Sequence, residues 1–188
     1  MTAQRLRTGI VSTLVVGLAL AFAGCGSADT KMTSAAPEPM KVARAAIEAR
    51  SGSSVKGEAV FSEIGGKVHV VITVTGATPG LHAVHAHETG DCSAPDAKSA
   101  GSHFNPDGAA HKHGAPDAAE HHAGDFGNMD VGANGTGIID LTTSSITVTS
   151  GPRSVVGRSI IVHEKVDDFS QPVGNAGARV GCGVISAQ

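Results

Sequence analysis

The sequence predicts an all-β domain of about eight short strands, closed as a barrel or folded as a sandwich, and three observations carry the prediction. Val, Ile and Thr recur in short alternating runs, of which Val68, Val70, Ile72 and Val74 form the clearest. Twenty-five glycines and turn signals such as Gly65-Gly66, Thr78-Pro79-Gly80 and Ser150-Gly151-Pro152 break the chain at regular intervals. No stretch reads as a convincing amphipathic helix. The chain has 188 residues, enough to bury a core, and with no Trp or Tyr and five Phe that core must be aliphatic.

Taken in order, residues 1–24 read as an export signal. Arg5 and Arg7 supply the positive start, and Ile10 to Ala23 is an apolar run too short to serve comfortably as a final membrane anchor. Leu20-Ala21-Phe22-Ala23-Gly24-Cys25 resembles a bacterial lipobox, with small residues before a Cys that becomes the lipidated N-terminus; Phe22 departs from the usual Leu. The competing reading takes Ala21-Phe22-Ala23 as an ordinary cleavage site and leaves Cys25 a free thiol. Lipidation is the reading adopted, and its two acyl chains suffice for attachment to a lipid membrane. Residues 25–40 are Ser-, Thr-, Ala- and Pro-rich and read as a disordered tether.

The domain spans residues 41–188. Val42 to Arg50 has helix formers as well as strand alternation, and its context favours a strand. Ser51-Gly52-Ser53 is a turn, and Val55 to Glu63 and Lys67 to Thr75 flank a Gly65-Gly66 hairpin. His69 points away from the Val68/Val70/Ile72/Val74 face, which makes it a solvated side chain. A strand carrying His85 and His87 follows, then a long loop, then strands near Phe126 to Val131, Gly137 to Thr142, Ile146 to Thr149, Val155 to His163 and Cys182 to Ser186.

The formal charge is −3. Loss of the leader removes two arginines and leaves twelve basic against seventeen acidic residues, a net −5. No basic cluster with interleaved aromatics is present, which argues against nucleic acid as a partner. The chemistry is concentrated between Leu81 and Asp125, where eight of the ten histidines lie and chance would place about two. Crowding of this kind argues for metal. His85 and His87 are two apart, so both leave one face of an extended strand, close enough to share an ion. His113, His122 and Asp125 recur along a Gly/Pro-broken loop, which can supply ligands from several directions. His82 lies on the opposite strand face with Val84 and Ala86 and reads as a buried structural histidine.

Six strings in order resemble the copper/zinc superoxide dismutases, over a span from about Val42 to the C-terminus. They are Gly80-Leu81-His82-Ala83-Val84-His85-Ala86-His87-Glu88, Ser99-Ala100-Gly101-Ser102-His103-Phe104-Asn105-Pro106, Lys112-His113-Gly114-Ala115-Pro116, His122-Ala123-Gly124-Asp125-Phe126-Gly127-Asn128, Gly157-Arg158 through Asp167-Asp168, and Gly174-Asn175-Ala176-Gly177-Ala178-Arg179 through Ile185. The resemblance is to bacterial, exported members. It implies an eight-stranded Greek-key β-barrel with long metal-binding and active-site loops, and dismutation of superoxide to oxygen and hydrogen peroxide.

Carried over by position, the resemblance makes His85, His87, His103 and His163 copper ligands and His103, His113, His122 and Asp125 zinc ligands, with His103 shared. It gives catalytic roles to Arg179, which attracts and orients the anion, and to His103, which supplies a proton. Lys165 contributes more weakly to attraction. Asp167 becomes the carboxylate bonded to ligands of both metals, joining His85 with His113, and Asp168 is structural. Cys92 and Cys182 become a disulfide, in keeping with export. The implied location is the cell envelope, with the substrate superoxide outside the cytoplasm, and a homodimer is left open.

The sequence departs from the family pattern around the zinc loop. The gap from His103 to His113 is about two residues longer than usual, so His111 could replace His113, and His121 could replace His122; the spacing of Lys112-His113-Gly114-Ala115-Pro116 favours His113. The segment from Phe169 to Val173 is short for the family's guiding loop. The alternative function is a non-catalytic copper-handling module on the same fold. A metal-dependent hydrolase has little support, since His87-Glu88 and His163-Glu164 lack a second helical histidine and no Gly-x-Ser-x-Gly elbow occurs.

Overall fold

The computed structural model describes residues 39–188. The leader, Cys25 and nearly all of the tether lie outside the described residues. The strands are β1 (Lys41–Ala49), β2 (Lys56–Ile64), β3 (Lys67–Thr75), β4 (Gly80–His87), β5 (Asp125–Val131), β6 (Gly137–Thr143), β7 (Ser159–His163), β8 (Arg179–Val184) and the two-residue β9 (Ser186–Ala187). Their order is β2-β3-β6-β5-β4-β7-β8-β1, and pairing of β1 with β2 closes an eight-stranded antiparallel barrel. The links from β3 to β4 and from β6 to β7 each pass over two strands, as the Greek-key expectation requires. Among the described residues no helix is long and apolar enough to cross a membrane.

The β2–β3 hairpin turns at Gly65 and Gly66, whose φ angles of 57° and 75° are the positive pair that a two-residue hairpin turn needs. Alternation beyond it places Val68, Val70, Ile72 and Val74 inside the barrel, all fully buried, with Phe61 of β2 packed 6.2 Å from Phe126 of β5. Each such side chain contributes roughly 1.5–3 kcal/mol relative to exposure. His69 is exposed, as expected, and pairs with Asp140. On β4 the barrel face carries Val84 and Ala86, and on β7 it carries Ile160 and Val162. The opposite face of the same two strands carries His85, His87, Ile161 and His163, also buried, because loops 88–124 and 164–178 cover it. Ile161 packs there against Ala97, Ala100 and Cys182 in a small core of its own.

Three strand expectations need correction. Ile146 to Thr149 is not a strand: the amides of Val148 and Thr149 donate to the Glu63 carboxylate at 2.7 and 2.6 Å, and only Thr147 makes a bridge, to Ser154. Ile146 and Val148 are nevertheless buried, which is why the segment alternates. The strand expected from Val155 begins only at Ser159, since Gly157 takes a φ of 81° and Val155 bonds back to Thr147. The last strand starts earlier, at Arg179, and breaks at Ile185, whose amide donates to Arg158 instead.

Burial raises the Glu63 carboxyl, but hydrogen bonds from Thr149 and Val148, with help from Lys41, outweigh it and hold the group below its usual range. A depressed carboxylate stabilises the fold above its unfolded value near 4.5 and loses that contribution as pH falls. Gln at position 63 therefore lowers stability by on the order of 1 kcal/mol at neutral pH. The difference from wild type shrinks below about pH 4 in denaturant titrations.

Candidate metal centre

Strand register assembles the site. On β4, antiparallel to β7 with His85 opposite Ile161, the two-residue period sends His85 and His87 outward together. β7 ends at His163, and its pairing with β8 places Arg179 directly opposite that residue. The loop after β4 returns so that His103 bridges His87 backbone to backbone. Further along this loop come His113 and His122, with Asp125 at the start of β5. The ring centroids of His85 and His103 are 4.0 Å apart, those of His87 and His103 5.0 Å, and those of His85 and His163 5.0 Å.

Two groups of mutually close ligand atoms result. One is His85, His87, His103 and His163; the other contains His85, His103, His113 and Asp125. His122 adjoins the second group, its Nδ1 3.6 Å from Asp125 Oδ1 and 3.4 Å from His103 Nδ1. All seven side chains are buried. His85 and His103 are the rings common to both groups.

The hydrogen bonds define which nitrogens are free. His85 Nε2 donates to Asp167 Oδ2 at 2.7 Å, and His87 Nδ1 donates to the Gly101 carbonyl at 3.0 Å. Their other nitrogens, His85 Nδ1 and His87 Nε2, are buried lone pairs with no partner, and both ring nitrogens of His163 are partnerless as well. Buried unpartnered polar atoms are rare, and a cluster of them facing one another is what a metal ligand set requires. The residues present therefore fit a metal on this side, and an all-imidazole set suits copper.

On the other side one carboxylate gathers three rings. Asp125 accepts from His103 Nδ1 at 3.1 Å and His113 Nδ1 at 2.9 Å, and from the backbone amides of His122 at 2.9 Å and Gly114 at 3.1 Å. Three imidazoles and a carboxylate match the donors and number of a tetrahedral zinc site. Asp167 accepts from His113 Nε2 at 2.9 Å as well as from His85, and so joins the two groups.

Charges follow from these contacts. Burial, reinforced by the neighbouring rings and Arg179, pushes His87 and His163 well below the ordinary imidazole value, so both are neutral with lone pairs available. Burial likewise lowers His103, to about 4. Burial opposes a charge on His113 too, but Asp125 and Asp167 on its two nitrogens outweigh it and raise the ring to about 9. The Asp125 and Asp167 carboxyls, raised by burial, are held far below the carboxylate range by the histidines that donate to them.

The first group opens on a cleft of about 530 Å³ bordered by His87, His163, Lys165, Asn175 and Arg179. The Arg179 guanidinium is half-buried and anchored by bonds to Ala97 O at 2.8 Å and Gly101 O at 2.7 Å. Gly101 O accepts from both Arg179 and His87, which ties the cation to a member of the cluster. Cys92 and Cys182 form the disulfide, with Cα atoms 5.8 Å apart.

The histidines that spacing left ambiguous are separated by their surroundings. His121 turns to the carbonyl of His122 and to Ser145 Oγ, and His111 lines a second cleft beside His122; neither belongs to the two ligand groups, which His122 itself adjoins through Asp125 at 3.6 Å. His82 is buried with its ring nitrogens on the carbonyls of Thr78 and His163, each at 2.8 Å. Sequence reasoning missed two amides. Asn128 brackets the backbone of Asp167, accepting from its amide at 2.7 Å and donating to its carbonyl at 3.1 Å, and Gln171 does the same to His113. Neither position carries a local signal of that role.

A closed antiparallel barrel bearing two adjoining groups of potential metal ligands on its outer wall, sharing His85 and His103 and joined through Asp167, defines a β-barrel protein built for two metals, with a cationic cleft beside them. Residues 55–185 match the family model described as copper/zinc superoxide dismutase (SODC). The chain belongs to that family. It is 45% identical over 146 residues to Superoxide dismutase [Cu-Zn] 2 of Brassica juncea, covering 73% of this chain and 93% of the relative. The crystal structure of the clock protein EA4 superposes with a TM-score of 0.69 at 39% identity, covering 77% of this chain and 93% of that one. Family membership brings copper and zinc as cofactors.

A raised pKa stabilises the fold below the unfolded value and stops doing so as pH rises through the folded one. Charged His113 thus supports the metal-free protein fully below about pH 6.5 and ceases to as pH passes about 9. Zinc bound through this ring would have to displace its proton. Calorimetric titration in buffers of different ionisation enthalpy is expected to register about one proton released from this ring near pH 7 and about half as much near pH 9.

Proposed function

We propose that the chain is a superoxide dismutase in which His85, His87, His103 and His163 hold copper and His103, His113, His122 and Asp125 hold zinc. The observation that carries the reading is the set of buried, unpartnered lone pairs on His85, His87 and His163 beside the Arg179 cleft. Bound copper supplies one-electron exchange, so that one superoxide gives up an electron and leaves as oxygen while a second takes an electron and two protons and leaves as hydrogen peroxide. Zinc has no redox chemistry and serves to shape the site.

The residues do the remaining work. Arg179, fixed by two carbonyls, presents a positive charge at the cleft mouth, and Lys165 borders the same opening. In a protein of net negative charge, attraction of a small anion depends on this local field, focused by a low-dielectric wall. His103 turns Nδ1 toward Asp125, and with that nitrogen holding zinc Nε2 would be the atom at which a proton is held and handed to the departing peroxide. Asp167 holds His85 by Nε2 and so keeps Nδ1 as the ligand atom.

The bacterial, exported and lipid-anchored form is also part of the proposal. It is supported by Arg5 and Arg7, the apolar run to Ala23 and the small residues before Cys25. It would place the barrel on the extracytoplasmic side of an envelope membrane, facing superoxide that arises there.

Copper- and zinc-loaded protein is expected to dismute superoxide rapidly. The His163→Ala variant loses copper and activity together, as metal analysis and assay would reveal. Arg179→Ala keeps its copper and loses about ten- to a hundredfold in rate, with a flatter dependence on ionic strength. Full copper loading of the wild type without activity would favour the copper-handling alternative. Separately, Cys25→Ser is expected to shift the protein from the membrane to the soluble fraction and to remove the lipid mass from the N-terminal peptide.

A further inference from the structure

We propose that Gln171 is a positioning residue that locks the rim of the copper-side cleft to the zinc-side loop through the backbone of His113. This rests on the assignment of His113 to the zinc set. The side-chain amide of Gln171 pairs with His113 in both directions: Nε2 donates to His113 O at 2.7 Å, and His113 N donates to Oε1 at 3.2 Å. A neighbouring β-strand would make the same pair of bonds with its backbone. Here a side chain makes them across a sequence separation of 58 residues, and satisfies the two main-chain groups of a buried residue.

The surrounding loop closes on His113 from two more directions. The Phe169 ring lies 6.0 Å from the imidazole. Gly174, at a φ of 70°, sits so close that a Cβ there would collide with Asp167 Oδ1 and come within 3.1 Å of His113 Nε2. Its amide donates to Ser170 O at 2.7 Å, which closes residues 170–174 into a compact turn. Asp168 fixes the base of the loop by accepting from Ser170 Oγ at 2.7 Å and Asn175 Nδ2 at 2.8 Å.

Residues 169–174 therefore hold His113 at its backbone, ring face and Nε2 edge. The same chain continues as Gly174 to Gly177, which borders the cleft shared with His87, His163 and Arg179. Two links join the zinc-side loop to this rim. Asp167 acts on the His113 ring, and Gln171 acts on its main chain. With the amide removed, the ring keeps its carboxylates but the peptide that carries it is free to move, and the order that zinc imposes on His113 reaches the rim by one route in place of two.

The test uses the metal-loaded protein and the Gln171→Ala and Gln171→Glu variants. One readout is the rate of zinc transfer to a chromogenic chelator. The other is amide hydrogen exchange at Gly174 to Gly177 with and without zinc, referred to amides of β2 and β3. Gln171→Ala is expected to release zinc about tenfold faster and to lose about tenfold of the protection that zinc confers on the rim, with β2 and β3 unchanged. Gln171→Glu keeps the acceptor and loses the donor, and falls between. Zinc release and rim exchange within about twofold of wild type would overturn the proposal, as would an equal loss of protection throughout the barrel, which marks a purely structural role. A wild-type protein that takes up no zinc would overturn the His113 assignment itself, and metal analysis recognises that case independently of the variants.

Discussion

Two buried carboxylates hold the site together. Asp125 collects His103, His113 and His122, and Asp167 collects His85 and His113, so that four of the six ligand rings are tied to one or the other. Burying this much polar surface is costly unless each group is paired. The pairing is met by making His113 the ring between the two carboxylates, and the charge raised on that ring is the counterpart of the charge that both carboxylates retain. Removal of either aspartate would leave a buried imidazolium facing one anion where it had two, and would release His103 (from Asp125) or His85 (from Asp167) from its carboxylate hydrogen bond.

The barrel makes this affordable because it supplies a rigid wall and takes no part in the polar chemistry. β4 and β7 bury both faces: Val84, Ala86, Ile160 and Val162 point into the aliphatic core, while His85, His87 and His163 point outward beneath the loops. The interstrand register, pinned by the core residues, then determines where the histidines stand. Loops 88–124 and 164–178 have no regular structure of that strength. They are fastened by the Cys92–Cys182 disulfide, by the Arg179 bonds to Ala97 and Gly101, and by the amides of Asn128 and Gln171.

The sequence made the barrel legible where one rule governs a whole strand. Alternation alone put Val68, Val70, Ile72 and Val74 inside, and Gly65-Gly66 marked the hairpin. It misled at Ile146 to Thr149, where the same alternation serves two buried plugs on a segment whose amides belong to Glu63, more than eighty residues away. For the site, residue type and spacing indicated a metal-binding tract, and the His85/His87 pair needed only the strand period to be placed on one face. Adjacent histidines were harder. His111 against His113, and His121 against His122, differ by the direction in which a loop turns, and that direction is set by Asp125 and Ser145. Bracketing amides such as Asn128 and Gln171 were unreadable, since a side chain bonded to a distant backbone leaves no periodic trace.

The two ligand groups differ in what must leave before a metal enters. On the side proposed for copper, burial and mutual repulsion have already made His87 and His163 neutral, and hydrogen bonds to Gly101 and Asp167 have chosen which nitrogens of His87 and His85 stay bare. A metal arriving there competes with no proton on those atoms. On the side proposed for zinc, His113 holds both of its protons between carboxylates, and the cluster is neutralised by protons where it would otherwise be neutralised by a cation. The metal-free protein thus keeps the His113 half closed around a proton and the His87/His163 half open around lone pairs. His103 stands in both halves, neutral and with a single proton to place, so the state of one half bears directly on the other. The fold holds the two halves in contact without forcing them to the same charge.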